Sequence, residues 1–189
     1  MKRRTMMLVA GAAGAMTLAG CSANMGATAS PAERQAAINQ GVDTTLATLY
    51  SSVVGSKELV GKARGVVVFP RVLEGAFGVG ASGGDGALRI GGVTKGFYTT
   101  RSVSFGFQAG AQSTALIYLF MTQESLDRFL SANTWTAGAD ASVSVIRAGA
   151  NATIDTTSVS NSVNAFVLTN SGLFGGVNLN GARIARIDF

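Results

Sequence analysis

Gly65-Val66-Val67-Val68-Phe69-Pro70 marks the point where the apolar pattern of this 189-residue chain changes period. Four consecutive β-branched or aromatic side chains between a Gly and a Pro fit a short strand buried on both faces and closed by Pro70. Upstream of it the spacing is helical. Ile38, Val42, Leu46, Leu49 and Val53 recur every three or four residues, as one face of an amphipathic helix does. Pro31 suits the first turn of that helix, and Gly55 lies just beyond its end. Ser56 is placed to cap a short second helix through Leu59 and Val60 that stops near Gly61. The polar face of the first helix carries Gln and Thr and little Lys, unlike an interfacial helix, so its apolar stripe is expected to pack on a sheet rather than insert in lipid.

Downstream of Gly65 the period is that of strands. Phe77 to Ser82 and Ala87 to Val93 flank Gly83-Gly84-Asp85-Gly86, which predicts a hairpin because Asp and Gly tolerate positive φ. Val103, Phe105, Phe107, Ala109 and Ala111 alternate with Ser, Gly and Gln, the pattern of one two-faced strand. Ala115 to Met121 is apolar throughout, as a central strand is. Thr122 to Ala132 interrupts the strands with a helix: Thr122 caps, Glu124 sits in the first turn, and Leu126, Phe129 and Leu130 form the apolar face. Alternation resumes over Ala139 to Ile146 and Val163 to Thr169. Leu173 to Leu179 and Arg183 to Ile187 flank Asn180-Gly181, a second hairpin signal, while the polar stretch Asn151 to Ser162 is read as a loop. Phe-Gly recurs at Phe77, Phe105 and Phe174, which fits glycine beside aromatic rings in a curved sheet.

Composition narrows the chemistry. There is no His, which removes Ser-His-Asp, Cys-His and His-metal sites, and the single Cys forms no internal disulfide and no multi-Cys metal site. Charged residues make up 13% and Gly numbers 25, a balance that favours β-structure with many turns over a helical bundle. Gly78 to Gly83 matches G-x-G-x-x-G, but strand-like sequence follows it where a dinucleotide site needs a helix. Gly80-Ala81-Ser82-Gly83-Gly84 matches the nucleophile elbow G-x-S-x-G, with no His to take the Ser proton. Glu124 and Asp127 read as a solvated helix face. No catalytic residue, cofactor or metal is expected, and the rival enzyme hypothesis needs a Lys beside a buried Ser or a pair of carboxylates.

The N-terminus reads as an address. Lys2, Arg3 and Arg4 precede an uncharged apolar run from Met6 to Leu18, too short to span a bilayer and suited to a secretory signal. Leu18-Ala19-Gly20-Cys21 then resembles the bacterial lipobox. That resemblance implies cleavage before Cys21, diacylglycerol on its sulfur and acylation of the new amine, which together anchor a protein stably. Ser22 after the Cys favours the outer membrane under general lipoprotein sorting. The expected division is 1–20 signal peptide, 21–30 lipidated Cys and flexible tether, and 31–189 folded domain. Fifteen basic residues less Lys2, Arg3 and Arg4 leave twelve against ten acidic, so the net charge falls from +5 to +2. Nucleic acid is not expected as a partner.

Six blocks in order resemble the SYLF lipid-binding domain family: Lys62 to Pro70, Gly75 to Leu88, Ser102 to Gln112, Phe120 to Glu124 with Phe129 and Leu130, Gly138 to Val143, and Gly172 to Val177. Together they cover roughly Gly41 to Gly181. Gly96-Phe97-Tyr98-Thr99-Thr100 lacks the Trp and Pro often found there, and the chain ends soon after the last block. The resemblance implies phospholipid binding, with phosphoinositide head groups in eukaryotic members, some of which also associate with actin. Amphipathic and basic elements near the start of the domain contribute in those members.

The candidate lipid-binding cations are Lys57, Lys62, Arg64, Arg71, Lys95 and Arg101. The first three cluster at the end of the helical region and Arg71 follows the first strand, with Glu58 and Glu74 among them. An anionic-lipid patch and a mixed solvated surface both fit these four. Lys95 and Arg101 flank Phe97 and Tyr98, as either a membrane interface or a hairpin rim with buried rings. The fold expected is α+β, with N-terminal helices packed on a curved antiparallel sheet, a flattened barrel or sandwich, and one inserted helix. The function expected is a non-enzymatic phospholipid-binding lipoprotein of the bacterial envelope; the alternative is an envelope protein that binds another protein.

Overall fold

The computed structural model describes residues 29–77, 79–105, 110–146, 154, 161–169, 172–173 and 179–189. The elements run α1 (Pro31–Ser52), α2 (Ser56–Lys62), β1 (Gly65–Phe77), β2 (Val79–Ile90), β3 (Val93–Phe105), β4 (Gly110–Phe120), α3 (Gln123–Ser131), β5 (Thr134–Thr136), β6 (Val143–Val145), β7 (Val163–Thr169), β8 (Gly172–Leu173) and β9 (Arg183–Ile187). The signal peptide, Cys21 and the tether up to residue 28 lie outside the described residues, as does most of the loop at 151–162. So do the glycines of the three Phe-Gly repeats.

One sheet holds all nine strands, in the order β5-β9-β3-β2-β1-β4-β7-β6, with β8 paired to β7. The α+β expectation is met: the sheet is a curled half-barrel with helices on its N-terminal side. The path among the described strands is open, ending at β5 and β6, rather than closed. Every pairing is antiparallel except β6 with β7.

The alternation of β1 explains why its sequence is apolar throughout. Val66 and Val68 face one core with Val42, Leu49 and Val53 of the α1 region, Ile117, Leu119 and Phe166. Val67 and Phe69 face the other, with Leu126 and Phe129 of α3, Tyr118, Phe120 and Trp135. Sandwiched between helices, the strand buries successive side chains on opposite sides. The α1 stripe therefore packs on the sheet, with Val42 and Leu49 fully buried and Ile38 and Leu46 packed at the margin. Ser30 and Glu33 close the α1 N-terminus as a capping box, with Pro31 in its first turn. The N-cap of α2 is Gly55, not Ser56. Ser56 is the first helical residue, and its buried hydroxyl donates back to the carbonyls of Leu49 (3.1 Å) and Val53 (2.7 Å). Thr122 caps α3 as expected, accepting from the Ser125 N–H at 3.1 Å.

The chain departs from its local signals in several places. β1 does not close at Pro70 but runs on to Phe77, with a register shift between Phe69 and Val72 that absorbs the residue lacking an N–H. Gly83-Gly84-Asp85-Gly86 is not a turn but the middle of β2, and a Cβ at Gly84 or Gly86 would strike the carbonyl oxygen of Arg71 or Val68 across the β1 bulge. The β2–β3 turn is Gly91-Gly92, whose φ values of +57° and +80° suit a two-residue hairpin loop. The alternation from Val103 to Ala111 belongs to two strands: β3 ends at Phe105, and β4 starts at Gly110 and pairs with β1 rather than β3. Asn180-Gly181 does turn, and β9 pairs with β3 and β5; residues 174–178 of the expected first arm, Leu173 to Leu179, lie outside the described residues. Within 139–146 only Val143–Val145 forms a strand, and β5, around the buried Trp135, has no clear sequence signal.

Candidate functional site

Carboxylates neutralise five basic side chains among the described residues. Lys62 reaches Glu58 at 2.7 Å, one helical turn away, and its ammonium holds the Glu58 carboxyl below the usual range. Arg34 meets Asp85 at 3.5 Å, Arg128 meets Glu124 at 2.9 Å and Arg186 meets Asp188 at 3.6 Å. Arg89 is largely buried and clamps α1 to the β2–β3 turn, donating to Asp43 (2.8 Å), Asn39 (3.4 Å) and the Gly92 carbonyl (3.0 Å). Lys57, Arg64, Arg71, Lys95, Arg101 and Arg183 are exposed and have no carboxylate within 4.0 Å among the described residues. Five of the six candidate cations are thus unneutralised, and Lys62 is the exception.

These candidates do not form one patch. Lys57 lines a cavity of about 630 Å³ between α1, α2 and the β2–β3 turn, shared with Asp43 and Arg89. Arg71 lines one of about 600 Å³ where α1 crosses Pro70, opposite Asp85. Arg101 lines a third, of about 690 Å³, with Thr99, Val103, Thr134, Arg183 and Ala185. Lys62 and Arg64 stand exposed on either side of the α2–β1 junction, and Lys95 on β3 just past the Gly91-Gly92 turn. The rings between Lys95 and Arg101 belong to the interior. Tyr98 stacks on Phe129 at 5.0 Å within the α3-side core, and Phe97 packs edge-on against Phe189 at 5.4 Å. That is the hairpin-rim alternative, with the rings facing protein.

The third cavity differs from the other two in charge. Arg101 and Arg183 lie directly opposite each other in the β3–β9 ladder. Such pairs hold their Cβ atoms roughly 5 Å apart, and like charges there are destabilising. Their neighbours Thr100 and Ile184 point into the α3-side core, which turns both arginines to the other face of the sheet. Among the described residues no carboxylate lines this cavity, whereas each of the other two contains an Asp. Asp140, which follows β5, has its Oδ2 engaged by the Thr136 N–H at 2.6 Å. The same cross-strand row continues from Arg101 to Gly83, Leu73 and Ser113. Leu73 is 59% exposed and Val103 is 65% exposed, and between their strands β2 presents only Ala81 and Gly83. Sequence reasoning missed Arg183 because its strand was paired with residues 173–179. The signal available was its alternation, Arg183 out and Ile184 in.

Fold and site define an α+β domain whose curled sheet gathers uncompensated arginine at one strand pair. Residues 101–188 match the family model described as Ysc84: Las17-binding protein actin regulator, a match to the SYLF-type family that the sequence blocks resemble. The matched span contains both Arg101 and Arg183, while α1, α2, β1 and β2 lie before it. A search of curated proteins finds no match to the chain.

Proposed function

We propose that the protein is a non-enzymatic, phospholipid-binding lipoprotein of the bacterial cell envelope, anchored through Cys21 at the outer membrane. The observation that carries this is the set of exposed cations without carboxylate partners among the described residues, five of which the sequence had singled out. Each such charge near an anionic bilayer contributes roughly 1 kcal/mol, screened by salt. The family match over residues 101–188 supports a lipid or actin-related role in general terms, and a phosphoinositide-type head group is the finer reading drawn from the resemblance. The test is cosedimentation of residues 22–189, which keep every described element and lack the anchor. They are expected to pellet with anionic vesicles at low salt and to be released by added salt. No sedimentation with any vesicle composition would refute the proposal. The second reading, an envelope protein that binds another protein, is favoured by the family description itself, which is of a protein-binding regulator. A single crosslinked partner with no lipid co-purifying would support it.

A further inference from the structure

We propose that the Arg101–Arg183 cavity is a discrete seat for a phosphomonoester-headed lipid, with the phosphate between the two guanidinium groups and the acyl chains lying over Val103 and Leu73. This rests on the phospholipid reading and names the ligand class of that surface.

Four observations carry it. Two arginines face each other across neighbouring strands with no carboxylate among the described residues to relieve their repulsion, so the pair favours an anion. Guanidinium groups present paired N–H donors that match phosphate oxygens, which a Lys pair would not. The two unneutralised arginines carry +2, and a phosphomonoester carries about −1.5 to −2 at neutral pH, whereas a phosphodiester carries one charge. Beside the charges, the exposed Leu73 and Val103 flank a lane over Ala81 and Gly83 where side chains are small or absent, a surface suited to hydrocarbon.

The proposed anchor points the same way. The N-terminal turn of α1 sits at this end of the sheet, because Arg34 meets Asp85 and Asp85 pairs with Thr99, which lines the cavity. Nine peptide links join Cys21 to Ser30, a reach of at most roughly 30 Å. A bilayer holding the Cys21 acyl chains would therefore lie within reach of the seat.

The experiment titrates the full chain in zwitterionic detergent with dihexanoyl phosphatidate, dihexanoyl phosphatidylglycerol, dihexanoyl phosphatidylcholine and inorganic phosphate, by calorimetry and phosphorus NMR. Phosphatidate is expected to bind at one site, at least tenfold tighter than the diester lipids. Arg101→Ala with Arg183→Ala should weaken it at least tenfold, and Arg128→Ala, which removes a cation already paired with Glu124, should not. Arg183→Glu should abolish binding while holding or raising the melting temperature, since it creates a cross-strand ion pair; that separates loss of the seat from loss of the fold. Val103→Ser should weaken phosphatidate but not inorganic phosphate. Phosphate and phosphatidate binding equally, with Val103→Ser silent, would overturn the acyl part and leave an inorganic-anion site. Tight phosphatidate binding unchanged in the double variant would overturn the seat and leave the phospholipid reading standing. No phospholipid binding, with phosphate still lost in the double variant, would overturn the phospholipid reading and the lipid part of the seat.

Discussion

The two ends of the long strands β1 to β4 obey different rules. At the end near the helices, residues 65–69 and 115–120 lie between α1 on one side and α3 with β5 on the other, and nearly every side chain enters a core. At the far end, residues 71–74 and 99–103 are covered on one face. There Val72 and Thr100 are buried, while Leu73, Arg101 and Val103 are open. The contrast teaches where function fits. A strand covered on both faces has no position to spare for charge, whereas a strand covered on one face offers every second position to solvent or ligand.

The sharpest way to break this division is Trp135→Ala. Trp135 is 1% exposed and meets Tyr118, Phe120 and Phe129 at ring distances of about 6 Å, joining β5 and α3 to the near end of the sheet. The substitution should cost about 3–5 kcal/mol in denaturant unfolding. It should also weaken ligand binding at the far end, because β5 supports β9 and thereby Arg183.

Gly86→Ala tests the hinge between the two ends. The added Cβ would strike the Val68 carbonyl, so a loss of about 1–3 kcal/mol in the same measurement is expected. A loss of a few tenths would show that the β1 bulge yields easily.

Tyr118→Phe gives the smallest effect at neutral pH and sharpens the comparison by pH. The Tyr118 hydroxyl is buried in the near core with no partner among the described residues, and burial pushes its ionisation far above the ordinary value near 10. Below pH 10 the phenol is protonated in both the folded and unfolded chain and the stability is level. Above pH 10 the unfolded chain releases the proton and the folded one does not, so stability falls as pH rises. Thermal melts of Tyr118→Phe should change by no more than about 1 kcal/mol at pH 7, since the hydroxyl makes no bond to lose. The variant should decline less than the parent between pH 10 and 11.

The sequence was most legible where one element carries its own pattern. The α1 stripe, the apolar run of Val66 to Phe69, the inserted α3 with its Thr122 cap and the all-apolar β4 read correctly because burial and capping leave marks within a few residues. It misled where a local signal has two causes. Asp85 and its glycines look like a turn, yet they are glycine because β1 bulges against them. Val103 to Ala111 alternates without a break because two strands happen to share a phase. The candidate cations were legible as residue types but not as a site: Lys62 is neutralised by Glu58, Lys57 and Arg71 lie beside carboxylate-bearing cavities, and Arg101 acquires meaning only opposite Arg183.

By itself, then, the sequence determined the three helices and the apolar cores of β1, β4 and β7, which face of α1 and α3 is apolar, that His-dependent chemistry is excluded, and that Cys21 sits in a lipobox-like motif. Periodicity carries that much because it records the backbone angles and burial of a residue's own element. The tertiary structure decided the partners: β9 beside β3, β4 beside β1, and Arg183 across from Arg101. Strand pairing depends on which distant apolar faces share a core and on where bulges shift the register, and neither quantity is written in any local stretch of the chain.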